Sequence, residues 1–200
     1  MYRADVSGEV QPSIGSKQSI KGVKGRNGNE VYLENISKGM MSVAEKYSYS
    51  ISDKKADIYR AEGGAIVDMS TVNYSENPTW VMTEEEFLNE YGTAPDNPCI
   101  PYIVSSKTYI PGSESVRSLG DGTFEIKFNL AKDSSVVDYV KQIKHMSGLA
   151  SYPTFKSVSI TAIIDSDFRF ISLYYEENYT VTYFGVPAKC DGWVKLDISY

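Results

Sequence analysis

The feature that most restricts the fold of this chain is a regular alternation of apolar and polar residues between positions 155 and 183. In the run 157–164, aliphatic side chains occupy the even positions, and serine or threonine occupies the odd positions as far as 161. A period of two places the aliphatic residues on one face of a β-strand. Two further runs follow, at 168–175 and 179–184, with the polar link Glu176-Glu177-Asn178 between them. Three adjacent runs predict an antiparallel meander with one apolar face that must be covered.

Strand signals also extend over the first third of the chain. Asn27-Gly28 lies between two strand-like runs, and this dipeptide favours a two-residue hairpin turn because both residues tolerate positive φ. We therefore predict a β-hairpin at this position. Alternation predicts further strands at 2–10, 47–51, 56–60, 65–69, 124–130 and 193–200.

A short first helix is predicted to begin after Thr83. Glu86 follows Thr83 by three residues, which is the sequence pattern of a capping box, and Gly92 is suited to end the helix. The acidic run 84–86 then lies in the first turn, where carboxylates interact favourably with the helix dipole. We interpret this run as a helix start in preference to a cation site.

A second helix is predicted over 134–146, capped by Asp133 or Ser134 and ended by Gly148. Its apolar residues recur at helical spacing on one face, at Val136, Tyr139, Val140, Ile143 and Met146. Because this helix directly precedes the meander, we expect it to cover the apolar face of the sheet. The predicted fold class is α+β and mainly β: a curved antiparallel sheet, or incomplete barrel, covered by two helices. We treat 1–200 as a single domain with an irregular Pro- and Gly-rich segment at 93–122.

Charge and hydropathy exclude several classes of partner. The chain has a net charge of −6 and no basic cluster larger than Lys54-Lys55, so it lacks the concentrated positive surface that nucleic acids require. No run approaches the roughly 18 apolar residues of a membrane-spanning helix. The strand-like pattern begins at Tyr2, which fits either a native start or a start placed after a removed export signal. The oligomeric state stays open.

Few residues are suited to catalysis. His145 is the single histidine, which excludes most hydrolase triads and multi-histidine metal sites, and we predict that its ring is exposed on the polar face of the second helix. Carboxylate pairs remain as candidate acids and bases, at Asp165 with Asp167 and at Glu176 with Glu177. A tight turn explains the first pair without catalysis. We predict no catalytic residue, no metal and no cofactor.

The two cysteines allow two interpretations. Cys99 and Cys190 are far apart in sequence, and each lies beside loop-like residues. They are either two separate thiols or a disulfide, which requires their Cα atoms to approach within about 7 Å. Their spacing does not fit a zinc site.

Tyrosine is abundant, with 16 residues in the chain. Several tyrosines alternate within predicted strands, at positions 47, 49, 174, 175, 179 and 183. Such rings supply large contact areas while their hydroxyl groups need a partner or water. They fit either a ligand groove or sugar platform, or the partly buried strand tyrosines of an ordinary β protein.

The order of elements resembles the LolA-like and LppX-like envelope lipoprotein carriers. The matching features are a first strand over 2–10, the hairpin at Asn27-Gly28 leading into 31–36, and the helix over 134–146. The runs 158–165 and 168–175 are also similar to the C-terminal part of uncharacterised secreted lipoproteins of Gram-positive bacteria. The chain departs from these carriers in the length of its Pro-rich segment and in having no lipobox cysteine.

The resemblance implies a half-barrel whose hydrophobic concavity holds an acyl chain or another apolar ligand, without catalysis. It also implies a bacterial protein outside the cytoplasm, either in the cell envelope or secreted. The resemblance leaves open whether a lipidated N-terminus anchors the protein to the membrane.

We therefore expect a non-enzymatic domain that binds a lipid or another apolar small molecule. The predicted ligand-binding residues are Ile160, Ala162, Phe170, Tyr174, Val181 and Tyr183 from the sheet, with Val140 and Ile143 from the helix. The first alternative is a cell-surface interaction or glycan-binding module that uses its strand tyrosines. The second is a carboxylate-dependent glycosidase acting through Asp165 and Glu177.

Overall fold

A computed structural model describes residues 1–39, 42–63, 66, 68–97, 101–147, 149–183 and 185–200. These residues form eleven strands, two α-helices and one short 3-10 helix, Met69–Thr71. The strands and helices in chain order are β1 (Tyr2–Pro12), β2 (Gln18–Asn27), β3 (Glu30–Lys38), β4 (Val43–Ser50), β5 (Lys55–Glu62), β6 (Trp80–Thr83), α1 (Glu84–Tyr91), β7 (Ser115–Ser118), β8 (Phe124–Leu130), α2 (Tyr139–Ser147), β9 (Thr154–Ile164), β10 (Phe170–Tyr183) and β11 (Val186–Ser199).

All the strands belong to one antiparallel sheet with the order β6-β5-β4-β3-β2-β1-β11-β10-β9-β8-β7. The first and last strands pair in the middle of this sheet, where Ala4 lies opposite Ile198. Every other pair of neighbouring strands is consecutive in the chain, so these connections involve no crossover. The expectation of a mainly β fold built on a curved antiparallel sheet is confirmed.

Most local signals in the first half of the chain are confirmed. The predicted hairpin is present, and because Asn27 pairs with Glu30 its two-residue turn is Gly28-Asn29, one position later than predicted. Gly28 has the positive φ of 61° that this turn requires. The strands predicted at 47–51 and 56–60 correspond to β4 and β5. The strand predicted at 65–69 lies partly outside the described residues, and its described end is wrong, because Asp68 caps the 3-10 helix that begins at Met69.

The capping box of α1 forms as predicted. The backbone N–H of Glu86 donates to Oγ1 of Thr83 at 3.3 Å, and the backbone N–H of Thr83 donates to Oε2 of Glu86 at 2.8 Å. Gly92 ends the helix with φ 74° in the left-handed region. The interpretation of 84–86 as a helix start is confirmed.

The predicted break between two meander strands is wrong. Glu176-Glu177-Asn178 lies inside β10, where Glu177 pairs with Gly192 of β11 and Val158 of β9. The third strand of the meander is instead β11, which starts at Val186. The break was predicted because three consecutive polar residues resemble a turn. The chain continues as a strand because all three residues pair with both β9 and β11, and the side chain of Glu177 is buried and hydrogen-bonded on one face.

The predicted start of the second helix is also wrong, because α2 begins at Tyr139. The carbonyl oxygen of Ser135 accepts a hydrogen bond from the backbone N–H of Ile103 at 2.9 Å. A helix that included Ser135 would direct this carbonyl to Tyr139. The residues before α2 therefore form turns, and Gly148, the predicted helix end, lies outside the described residues.

The core contains two main clusters on the same sheet. The larger cluster combines β8, β9, β10, β11 and β1, and Val140 and Ile143 of α2 pack against it. The second cluster joins Phe87 and Tyr91 of α1 to buried residues of β3, β4 and β5. Neither helix in the described part of the chain has the length and apolarity needed to cross a bilayer.

Candidate ligand-binding cavity

A cavity of about 220 Å³ is lined by residues of the sheet and of both helices. On this scale a single water molecule needs only about 10–15 Å³. The residues that line the cavity come from β1, β2, β3, β4, β10, β11, α1 and α2. The aliphatic, methionine and phenylalanine side chains that line it are Val6, Val10, Ile20, Val23, Leu33, Phe87, Ile143, Met146, Val194 and Leu196.

Strand alternation and one glycine together leave this space open. Residues at alternate positions of each strand point to the same face, so Tyr175, Glu177 and Tyr179 of β10 all line the cavity. Gly22 of β2 lines the cavity without a side chain. A Cβ atom at Gly22 would lie 2.9 Å from the backbone oxygen of Glu34, which is too close for any other residue.

A buried carboxylate lies on one side of the cavity. Glu177 is 6% exposed, and it accepts hydrogen bonds from the hydroxyl groups of Tyr102 and Tyr139. Burial raises the pKa of Glu177 to about 6, although both hydrogen bonds oppose the increase. Within the described ranges, no lysine, arginine or histidine forms an ion pair with Glu177.

Aromatic rings surround this carboxylate. The ring of Tyr102 lies 5.0 Å from that of Tyr139 and 5.3 Å from that of Tyr175, centroid to centroid. Tyr139, Tyr175 and Tyr179 all line the cavity. Burial raises the pKa of Tyr102, Tyr139 and Tyr179, so their hydroxyl groups stay protonated and can donate. We call these four tyrosines and Glu177 the Glu177 site.

A second buried carboxylate lines the same cavity and has different partners. Glu45 of β4 is completely buried, and Oε1 accepts a hydrogen bond from the hydroxyl of Tyr91 at 2.9 Å. Oε2 lies 3.2 Å from Nε2 of His145 and 3.7 Å from a guanidinium nitrogen of Arg60. The other ring nitrogen of His145 lies 2.7 Å from Oε1 of Glu90. We call these five residues the Glu45 site.

The predicted exposure of His145 is wrong, because its side chain is only 8% exposed. Its ring lies 4.4 Å from that of Tyr91 and 5.8 Å from that of Trp80. Burial lowers the pKa of His145, but the hydrogen bonds to Glu45 and Glu90 outweigh it and raise the pKa above its ordinary value of 6.5. Polar neighbours along α2 indicated an exposed face, whereas the carboxylates that hold the ring come from β4 and α1.

Three of the predicted ligand-binding residues lie at the cavity or beside it. Ile143 lines the main cavity. Val181 and Tyr183 line a second cavity of about 10 Å³, which shares Ile143 and Tyr179 with the first.

The other predicted residues do not line the main cavity. Four of them belong to the larger core cluster or pack against it: Ile160, Ala162, Phe170 and Val140. Tyr174 lies on the opposite face of β10 from Tyr175 and stacks on Trp193 with a centroid distance of 6.0 Å. Much of the predicted sheet lining is therefore solid core, and the cavity is displaced towards β1, β2 and β3.

The sequence interpretation missed the polar groups of the cavity. Glu177 shares the period of Tyr175 and Tyr179, so a continuous strand would have placed a carboxylate on an apolar face. The polar link at 176–178 concealed this signal. Glu45 and Tyr102 carried no signal of their own, because their partners lie far away in the sequence.

The remaining candidate groups have structural explanations. Oδ1 of Asp165 accepts hydrogen bonds from the backbone N–H groups of Arg169 and Asp167, each at 2.9 Å, which lowers its pKa and confirms the predicted turn. Cys190 is buried on β11, and burial raises its pKa to about 11. Cys99 lies outside the described residues. The described part of the chain contains no group of three or more potential metal ligands.

Comparison with known proteins finds no family model that matches the chain and no curated protein that matches it. The functional argument therefore rests on the cavity and on the side chains that line it.

Proposed function

We propose that this chain is a non-enzymatic extracytoplasmic domain that binds a small apolar or amphipathic molecule. In this proposal the sheet is a half-barrel, α1 and α2 cover its concave face, and the ligand occupies the space between them. The observation that carries the proposal is the cavity of about 220 Å³ with a largely apolar lining.

The size of the cavity indicates the size of the ligand. Small-molecule sites in proteins usually measure about 300–1,000 Å³. The cavity of about 220 Å³ lies below this range. We therefore expect a single short chain or a small ring compound, not a lipid with several acyl chains.

The energetics of an apolar space favour occupancy. Apolar side chains that face an open space have no protein atoms on that side and make fewer dispersion contacts than packed side chains do. Ile20, Leu33 and Ile143 face this cavity from three different elements. An apolar ligand would restore those contacts and remove its own surface from water.

The resemblance to LolA-like carriers leads to the same expectation. In those carriers helices plug an incomplete, strongly curved antiparallel barrel, and the order of elements predicted from this sequence resembles theirs. The likeness supports a location in the cell envelope or outside the cell and a carrier role for the cavity.

The proposal is tested by filling the cavity. Native mass spectrometry of the purified chain should detect a co-purified small molecule, and a fluorescent apolar probe should bind in a saturable manner. Ile20→Trp places an indole in the cavity and should weaken probe binding at least tenfold. Ile171→Trp is the matched control, because Ile171 is a strand isoleucine that is 39% exposed.

Two results would contradict the proposal. One is a purified chain that carries no ligand and binds no apolar probe. The other is an Ile20→Trp variant that stays folded and binds the probe as tightly as the Ile171→Trp control does.

A glycan-binding or partner-binding module is the second candidate. It is favoured by the stacked pair of Tyr174 and Trp193 on the face of the sheet opposite to the cavity. Most other strand tyrosines are unsuited to such a platform, because Tyr47, Tyr49, Tyr175 and Tyr179 are buried. Polysaccharide binding that disappears in Tyr174→Ala would establish this function in place of the carrier function.

A carboxylate-dependent glycosidase is the third candidate. It would use Asp165 and Glu177, but both oxygens of Asp165 are already engaged by Arg169 within its own turn. Activity on a panel of glycosides that is lost in Glu177→Gln would support this candidate and overturn the non-enzymatic proposal.

A further inference from the structure

We propose that the ligand of the cavity carries an ammonium group, and that the Glu177 site recognises it. This inference rests on the proposed binding function and names the chemical class of the ligand.

The first argument concerns charge. An ionised carboxylate that leaves water needs a cation or several strong donors to offset the lost hydration. Among the described residues, Glu177 has only the hydroxyl groups of Tyr102 and Tyr139 as partners, and these are neutral. A positively charged ligand group would supply the missing counter-ion.

The second argument concerns the aromatic rings. An ammonium ion is attracted to the face of a tyrosine ring within about 6 Å of its centroid, and cages of aromatic rings bind quaternary ammonium groups in this way. Tyr139, Tyr175 and Tyr179 line the cavity together with Glu177. A carboxylate and several aromatic rings on one wall form the combination that an organic cation prefers.

The third argument concerns space beside the carboxylate. Gly192 lies opposite Glu177 in the pairing of β10 with β11. A Cβ atom at Gly192 would lie 3.9 Å from Oε2 of Glu177. The same Cβ atom would lie 3.4 Å from Cγ2 of Val10, so the glycine leaves room for about one methyl group between Val10, which lines the cavity, and the carboxylate.

The remaining wall suits the apolar part of such a ligand. Val6, Ile20 and Leu33 line the cavity from β1, β2 and β3. Lys24 is the only lysine among the described lining residues, and its ammonium group lies 5.9 Å from the ring centroid of Tyr47. A fatty acid would have to use Lys24 as its counter-ion, whereas Glu177 would still lack one. The charges of the cavity therefore favour a cationic amphiphile over an anionic one.

The test compares four probes that share one octyl chain and differ in the head group. Octyltrimethylammonium, octylamine, octanol and octanoate are titrated into the wild-type chain by calorimetry at about pH 7, where octylamine is protonated. Both cationic probes should bind at least tenfold more tightly than octanol and octanoate. This ranking needs no variant, so it decides the matter even if a substitution prevents folding.

Variants then locate the recognition site. Glu177→Gln should reduce the affinity for the two cationic probes about tenfold, to the level of octanol, and should leave octanol binding unchanged. Glu176→Gln is the matched control, because the neighbouring glutamate lies on the exposed face of the same strand. Gly192→Ala places a methyl group in ordinary contact distance of its neighbours and should weaken octyltrimethylammonium more than octylamine.

The outcomes separate this inference from the proposed function. If octanoate binds most tightly, or if the cationic probes bind no better than octanol, the ammonium inference is overturned while the binding function stands. A folded Glu177→Gln variant that keeps its preference for cations also overturns it. If none of the four probes binds and no ligand co-purifies, the binding function itself fails.

Discussion

Two buried glutamates line the same cavity, and their carboxylates have different kinds of partner. Glu45 lies near the guanidinium of Arg60 and the imidazole of His145, and it also accepts a hydrogen bond from Tyr91. Glu177 accepts hydrogen bonds from tyrosine hydroxyls and has no cationic partner within the described chain.

We interpret this difference as one between a structural site and the proposed binding site. The Glu45 site ties β4 and β5 to both helices, because its members come from all four elements. Such a cluster stabilises the position of the helices only while all its charges are paired. The Glu177 site retains an unbalanced charge that faces the cavity, and a ligand can balance it.

The largest effect is expected when the charge of Glu45 is removed. Glu45→Gln leaves Arg60 and His145 without their shared carboxylate, and breaking a buried pair of this kind costs about 3 kcal/mol or more. We expect the free energy of unfolding to fall by about that amount at about pH 7 in urea titrations. Glu176→Gln, the exposed control, should change it by less than about 0.5 kcal/mol. A loss below about 1 kcal/mol for Glu45→Gln would contradict the structural role.

The second prediction concerns the pH dependence that Glu177 gives to stability. Burial raises its pKa from 4.5 to about 6, so the folded state holds this proton more tightly than the unfolded state does. This contribution to stability is fully present below about pH 4.5 and is lost as the pH rises through about 6. The unfolding free energy should fall by about 2 kcal/mol over this pH range. The Glu177→Gln variant should lack this pH-dependent fall, because glutamine does not ionise.

The measurement is the difference in unfolding free energy between wild type and Glu177→Gln, at about pH 4 and at about pH 7. The tyrosines that face Glu177 do not interfere, because burial raises the pKa of Tyr102, Tyr139 and Tyr179 far above this range. A difference that stays constant between the two pH values would show that burial does not disfavour the ionised form of Glu177.

The third prediction compares one tyrosine hydroxyl in each site. Tyr102→Phe removes one of two donors to a carboxylate without a cation, and we expect a loss of about 1.5 kcal/mol at about pH 7. Tyr91→Phe removes a donor from Glu45, which keeps Arg60 and His145 as partners, and the expected loss is about 1 kcal/mol. Chemical denaturation of both variants measures the difference. A larger loss for Tyr91→Phe would reverse the comparison.

The smallest effect is expected at the N-cap of α1. Thr83→Ala removes the acceptor for the backbone N–H of Glu86 and should lower the unfolding free energy by about 1 kcal/mol. Neither Thr83 nor Glu86 lines the cavity, so the change should leave octylamine affinity unaltered. Reduced octylamine affinity in a folded Thr83→Ala variant would show that the two sites are coupled.

Local sequence signals predicted much of the fold. The hairpin at Asn27-Gly28 and the Thr83 cap involve residues within four positions of one another, so their hydrogen bonds can be inferred from spacing. The start of α2 could not be inferred in this way, because the carbonyl of Ser135 is used by Ile103, from a different segment. The continuation of β10 through Glu177 likewise depends on Tyr102, which is remote in sequence.

The cavity was harder to predict than the sheet. Periodicity identifies which face of a strand is apolar, but it does not show where the covering elements fill that face and where they leave space. Ile160 and Ala162 were expected at a ligand and are fully packed, whereas Val6 and Ile20 face the cavity. The cavity lies where α1 and α2 contribute lining residues together with β1, β2 and β3.

The most direct test of the account is an NMR titration of isotope-labelled glutamate carboxyl carbons with octyltrimethylammonium. We predict a saturable change in the carboxyl signal of Glu177. The signal of Glu45 should stay unchanged because its partners Arg60 and His145 remain in place. A titration in which neither signal changes, or in which Glu45 responds and Glu177 does not, would contradict it.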